Sequence, residues 1–177
     1  MNSPVARSTT IRRLADLRMA DVAEVGGKAA NLGELIAAGV RVPDGVVLTA
    51  GGDHVTADER RSLLLDGAHD LGPGPFAVRS SGISEDGSVR SFAGMFESVL
   101  NVSEEELPSG VERTLSSSQT SRAAEYQPGA RSQMAVIIQR MVAPAAAGVV
   151  LTADPINGDR QACVVTAVRG VADRLVS

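Results

Sequence analysis

The apolar positions of this 177-residue chain fall into short runs of two kinds. In "DVAEVGGKAANLGELIAAGVRVPDGVVLTA", Ala29, Leu32, Leu35 and Ile36 recur at helical spacing after Gly26 and Gly27. Gly39 supplies the helix stop, "VPDG" a turn and "VVLTA" a short buried strand. Upstream, residues 10–17 read as a first strand or an extended lead-in. "ADERRSLLLDGAHDLG" reads as one surface helix, and "GPGP" follows it. Residues 76–78 and 96–102 read as strands. "SEEELPSGVERTLSSSQTSRAAEYQPGARS" reads as a helix, a serine-rich loop and a further helix or loop. The last third is strand-rich, over residues 134–142, 148–152 and 161–167. Short strands alternating with helices predict an α+β architecture with largely antiparallel sheet. No internal repeat is present.

Composition narrows the core and the partners. With three Phe, one Tyr and no Trp, the core must be built from Val, Leu, Ile and Ala. Base-stacking platforms are scarce, and the net charge of −4 comes without a dense Lys/Arg block, so nucleic-acid binding is not expected. "MAVIIQRMVAPAAAGVVLTA" is the most apolar window, but Gln139, Arg140 and Pro144 interrupt it. It reads as two buried strands around a turn rather than a membrane span. The N-terminal stretch lacks an apolar core of signal-peptide length, and a cytoplasmic protein is expected. The single Cys163, in "ACVVTAV", is expected to be a buried, inert thiol.

Three segments could carry chemistry. In "VGGKAANLGEL" the glycines permit close backbone approach to a ligand, and a helix N-terminus with Lys28 beside it favours an anion. A surface lysine after a glycine turn has the same spacing, and the pattern is not a Walker loop. In "AVRSSGISEDGSVRSFAG", Arg79 ends a strand and needs a partner. Glu85 and Asp86 could supply it from within, or a ligand phosphate could accept two parallel hydrogen bonds. Ser80, Ser81 and Gly82 suit a phosphate-lined turn, and Gly94 and Ser98 a loop folding over a nucleotide. In "MAVIIQRMVAPAAAGVVLTADPINGDR", Gln139 and Arg140 either border an adenine slot or mark an edge strand with two solvent-facing polar residues.

Taken together and in this order, the three segments resemble the N-terminal nucleotide-binding domain of the phosphoenolpyruvate synthase and pyruvate phosphate dikinase family, shared by rifampin phosphotransferases. The resemblance covers residues 10–177. It implies an incomplete ATP-grasp-like domain that binds Mg-ATP, with one subdomain over residues 1–102 and a second over 103–177. It implies an ATP-dependent phosphotransferase that cleaves ATP to AMP and passes a phosphoryl group to a histidine on a separate domain. A further domain then delivers it to pyruvate or to an antibiotic hydroxyl. By this resemblance Lys28 and Arg79 are the catalytic cations that hold the phosphates, with Arg79 placed where charge develops during transfer. Gly94 and Ser98 match the loop that closes over the nucleotide, where threonine is common in place of Ser98. Gln139 matches the position beside adenine, and Arg140, Met141 and Val142 continue the hinge.

Departures from the family pattern matter too. The segments between "VVLTA" and "FAVRSS" and between "LNV" and "MAVIIQ" are short. "VVTAVRGVADRLVS" stands where relatives have a Gly-Leu-Gly-Glu-like run, and the glutamate is lost. No positions match the family's Mg2+ ligands or its phosphohistidine, so metal ligands and the phosphohistidine and acceptor-binding domains are expected outside this chain. His54 and His69 read as surface or loop histidines. Two other functions fit the same residues: a non-catalytic nucleotide-binding or interaction module, and the ATP domain of an antibiotic-modifying or biosynthetic ligase. Without visible metal ligands to neutralise the polyphosphate, the purified chain is expected to form little or no AMP from ATP. Rapid AMP release in a coupled assay would contradict that expectation.

Overall fold

The apolar run Met134–Arg140 becomes the central strand of a five-stranded sheet in the computed structural model, which describes residues 10–51, 55–83, 98–123 and 134–171. In chain order the elements are β1 (Ile11–Arg13), two single 3-10 turns (Leu14–Asp16 and Met19–Asp21), α1 (Val22–Ala37), β2 (Gly45–Leu48), α2 (Ala57–Leu71), β3 (Phe76–Gly82), β4 (Ser98–Val102), α3 (Leu107–Ala123), β5 (Met134–Arg140), β6 (Ala146–Leu151) and β7 (Val164–Arg169). The large sheet runs β1-β2-β5-β3-β4, and every pair in it is antiparallel.

Strand β5 is unbroken in its apolar character because both of its faces are covered. Val136 and Ile138 pack with Val46, Leu48, Phe76 and Val78 under α2 and α3, which contribute Leu64, Ala68, Leu107 and Val111. Ala135 and Ile137 face the other way, with Val47, and meet Val25, Ala29 and Ala30 of α1. One sheet therefore separates two apolar layers. Each fully buried Val, Leu or Ile contributes about 1.5–3 kcal/mol of transfer free energy.

Two elements differ from the sequence reading for local reasons. The serine-rich stretch does not break α3, which continues to Ala123. Its hydroxyls bond back to the helix itself, Thr114 Oγ1 to the Gly110 carbonyl at 3.0 Å and Ser117 Oγ to the Thr114 carbonyl at 2.9 Å. Leu107, Val111 and Thr114 meanwhile fasten one face of the helix to the sheet. Strand β4 carries a bulge. Phe76 pairs with Val102 but Val78 with Val99, so one strand spends an extra residue. Asn101 absorbs it at φ 57°, a conformation its short polar side chain tolerates. The bulge lets Val99 and Val102, three apart, share one buried face.

The packing divides after Met141, into Met1–Met141 and Val142–Ser177. Residue 102, expected to close a subdomain, thus lies inside the first unit. In the second unit β6 and β7 form an antiparallel hairpin in register from Ala146↔Arg169 to Leu151↔Val164. Its residues Val150 and Val165 are exposed, as is Cys163. The expectation of a buried thiol and of a buried strand here is corrected. A two-stranded ribbon has no second layer of its own to hide its faces.

No described helix is long and apolar enough to cross a membrane.

Ion pairs among the described residues pin the edges of the first unit. Arg60 of α2 reaches Glu112 of α3 at 2.6 Å, Arg13 reaches Asp70 at 3.1 Å, and Arg12 reaches Asp21 at 2.7 Å. The last ties β1 to the start of α1. The Arg12 guanidinium, then the Arg18 backbone N–H, hold the Asp21 carboxyl below its ordinary value. A depressed carboxyl stabilises the fold above its unfolded-state pKa, and that stabilisation fades as pH falls through the lower native value. Asp21→Asn should therefore cost about 1 kcal/mol at neutral pH. The gap between variant and wild type should close below pH 3.8, the ordinary value. Urea unfolding at pH 7 and in acid checks both points.

Candidate functional site

Residue Gly26 is where the glycine-lysine segment takes its shape. Inside α1 it adopts φ 75° and ψ 164°, so two helical stretches meet there at a kink. This is a region of backbone conformation open to glycine almost alone. The second stretch starts with Gly27, Lys28 and Ala29. Its first turn lies directly against β3. A Cβ on Gly26 would stand 2.4 Å from the Ser81 carbonyl oxygen and 2.5 Å from its Oγ. The Ala29 N–H donates to Ser81 Oγ at 3.1 Å, fully inside the protein. Asn31 Nδ2 closes back on the Gly27 carbonyl at 2.9 Å. Sequence reading placed the helix after the glycines, and the long straight stretch does begin there.

Strand β3 brings the second segment to the same place. Side chains alternate across a strand, so Ala77, Arg79 and Ser81 share the α1 face while Phe76, Val78 and Ser80 turn towards α2 and α3. Arg79 pairs in register with Ile137, which belongs to the α1-side core. It is half-buried, and among the described residues its guanidinium makes no hydrogen bond or ion pair. By contrast Arg12, Arg13 and Arg60 each have a carboxylate. Glu85 and Asp86, the internal partners considered for Arg79, lie outside the described residues. The expected phosphate-lined turn at Ser80, Ser81 and Gly82 is corrected: the strand runs straight through them to Gly82. Both serines are buried because β5 pairs with β3 along that whole length.

The remaining expected residues fall as follows. Ser98 opens β4 opposite Arg79 and is exposed. Gly94 lies outside the described residues, as does His54, while His69 is an exposed residue of α2. Gln139 is buried near the end of β5, opposite Ala77 on one side and Gly45 on the other. Its Nε2 donates to the Pro43 carbonyl at 2.9 Å, which locks the side chain over the joint between β2 and β5. Only Arg140 turns to solvent, so this is no edge strand. Met141 is half-buried and its N–H reaches the Pro75 carbonyl at 2.9 Å. Lys28, Arg79, Ser98 and Gln139 thus belong to one side of the sheet, the side that α1 covers in part. Sequence reasoning missed the acceptor role of Ser81 towards α1 and the Pro43 contact of Gln139. The serine pair after Arg79 was the available signal for the first. No local signal existed for the second.

Among the described residues there is no group of three or more His, Cys, Asp or Glu that could hold a metal ion.

Comparison with known proteins adds an independent line. The family model for the pyruvate phosphate dikinase AMP/ATP-binding domain matches residues 64–177. A rifampicin phosphotransferase from a Streptomyces species is 34% identical, with 93% of this chain and 25% of that protein covered. The prodigiosin synthesizing transferase PigC of Serratia marcescens is 33% identical, covering 86% of this chain and 21% of its own length. A probable phosphoenolpyruvate synthase of Staphylothermus marinus is 32% identical, over 88% of this chain and 25% of that protein. The chain spans about a quarter of the length of the curated relatives it matches. The Streptomyces alignment runs over 214 residues, more than the 177 here, so that relative carries internal residues without counterparts in this chain.

The tightness of the α1–β3 approach is measurable. Gly39 also has positive φ, 81°, but nothing lies within 4 Å of its absent Cβ. Gly39→Ala should cost about 1 kcal/mol from conformation alone. Gly26→Ala adds a clash with fixed backbone and should cost about 3 kcal/mol or more. Equal losses in urea unfolding would show that the segment can draw back from Ser81.

Proposed function

The chain belongs to the pyruvate phosphate dikinase AMP/ATP-binding domain family, and from that membership we propose how its own residues hold the nucleotide. ATP lies along the α1 side of the sheet. Lys28, beside the start of the second helical stretch of α1, and Arg79 on β3 grip the phosphates. The helix end adds the positive end of its dipole, and the arginine offers two parallel donors. Gln139 and Met141, at the end of β5, border the adenine, with Gln139 held in one orientation by Pro43. Ser98, the first residue of β4 opposite Arg79, and Gly94 approach the phosphates. The fold is an ATP-grasp-like one, and Mg2+, held by ligands outside this chain, would offset the negative charge of the nucleotide.

The parent activity follows the relatives. ATP loses two phosphoryl groups to become AMP: one passes to a histidine of another domain, the other is taken by water and leaves as inorganic phosphate, and an acceptor such as pyruvate or an antibiotic hydroxyl then receives the group from the histidine. Within that sequence this chain supplies nucleotide binding and the cations that offset charge on the phosphoryl oxygens as it develops.

The observation that carries the reading is Arg79. A half-buried guanidinium without a partner among the described residues stands two positions from Ser81, which touches the backbone beside Lys28. Removing it should weaken ATP binding about tenfold or more, the worth of a charge-assisted hydrogen bond to phosphate. Arg113→Ala is the control, because that exposed residue lies on α3, on the opposite side of the sheet. Calorimetric titration of ATP into both variants decides the matter. Equal affinities would remove Arg79 from the phosphate site.

A further inference from the structure

We propose that Ser81 is the positioning residue for Lys28, its hydroxyl setting where the lysine meets the phosphates. The inference deepens the nucleotide reading above and rests on it.

The reasoning starts from the helix end. After the kink, Gly26 stands in the capping place and Gly27, Lys28 and Ala29 are the first three helical residues. A capping side chain normally accepts the N–H of the second or third residue. Glycine has no side chain to do this. Ser81 does it instead, from 52 positions away in sequence, accepting the Ala29 N–H at 3.1 Å with no solvent exposure. The cap of the lysine-bearing turn is thus built into the arginine-bearing strand. Ser81 follows Arg79 by two positions on the same side, about 7 Å along the strand. One hydroxyl holds the two cations in register.

The chemistry of the cap matters as much as its place. An aspartate would cap the helix equally well. It would also set a fixed negative charge beside the phosphate site, against the incoming anion. A serine satisfies the N–H and stays neutral. Glycine at position 26 is what lets the turn come this near, since a Cβ there would stand 2.4 Å from the serine's carbonyl oxygen and 2.5 Å from its Oγ.

A double-mutant cycle on the full chain tests this. Ser81→Ala is titrated with ATP in the native background and in Lys28→Met. Ala29 amide hydrogen exchange is followed in parallel. The expected result is about a tenfold loss of ATP affinity where Lys28 is present and less than twofold in the Lys28→Met background. Ala29 exchange should quicken, and the drop in thermal stability should be the same in both backgrounds. Where the alanine variant does not fold, Ser81→Cys serves, since a thiol is a weaker acceptor of similar shape. It should show a smaller loss with the same dependence on Lys28. Equal losses in the two backgrounds, or no loss in either, would overturn the positioning role while leaving the nucleotide reading intact. Failure of the unmodified chain to bind ATP would overturn both.

Discussion

Everything at the candidate site depends on how closely α1 approaches β3. At Gly26 two backbones come together with no room for a methyl group, and a buried N–H finds a serine hydroxyl across the gap. A buried amide left unpaired there would cost about 1–3 kcal/mol. The contact therefore does more than close a space. It stops the helix from sliding along the strand, and it decides which side chains of the two elements become neighbours. A helix packed only through Ala29, Ala30 and Val25 would have apolar contacts but no fixed register, because such contacts are not directional.

The sheet beneath makes that contact possible. Strand β5 is paired on both edges and covered on both faces, so β2 and β3 cannot shift without exposing a full apolar row. Rigidity of this kind is what a binding site on a sheet needs. Charged side chains on a stiff, paired strand lose little freedom when a ligand arrives. The distribution of arginines agrees with a division of labour. Arg12, Arg13 and Arg60 link elements at the rim through carboxylates. Arg79 sits in the interior row without one among the described residues.

The hairpin of the second unit has a different character. Its register is complete over six pairs, yet valines along both strands are exposed. Hydrogen bonds between strands define a ribbon but do not supply an apolar layer. The same segment shows how far an apolar run can mislead. "ACVVTAV" and "MAVIIQ" look alike as strings, and one carries an exposed thiol while the other is the centre of the sheet. Burial depends on what covers a strand, and that is decided elsewhere in the chain.

Local periodicity was enough to place α1 and its stop at Gly39, the surface helix α2, and strands near Phe76, Met134 and Gly148, with antiparallel pairing. Glycine, lysine and arginine in ordered motifs were enough to assign the family. These features are written in neighbouring residues, where spacing and side-chain type act directly on the backbone. The cap of Ala29 by Ser81, the lock of Gln139 on Pro43, the bulge at Asn101 and the continuation of α3 across its serines were not legible. The first two join residues 52 and 96 positions apart. The bulge exists only because β4 must match the spacing of β3 while burying Val99 and Val102. The last depends on Leu107 and Val111 being held by a sheet that the helix itself does not contain. Sequence determined which pieces form and what chemistry they carry. Tertiary structure alone decided which oxygen meets which N–H, because that pairing is set by the order of the strands.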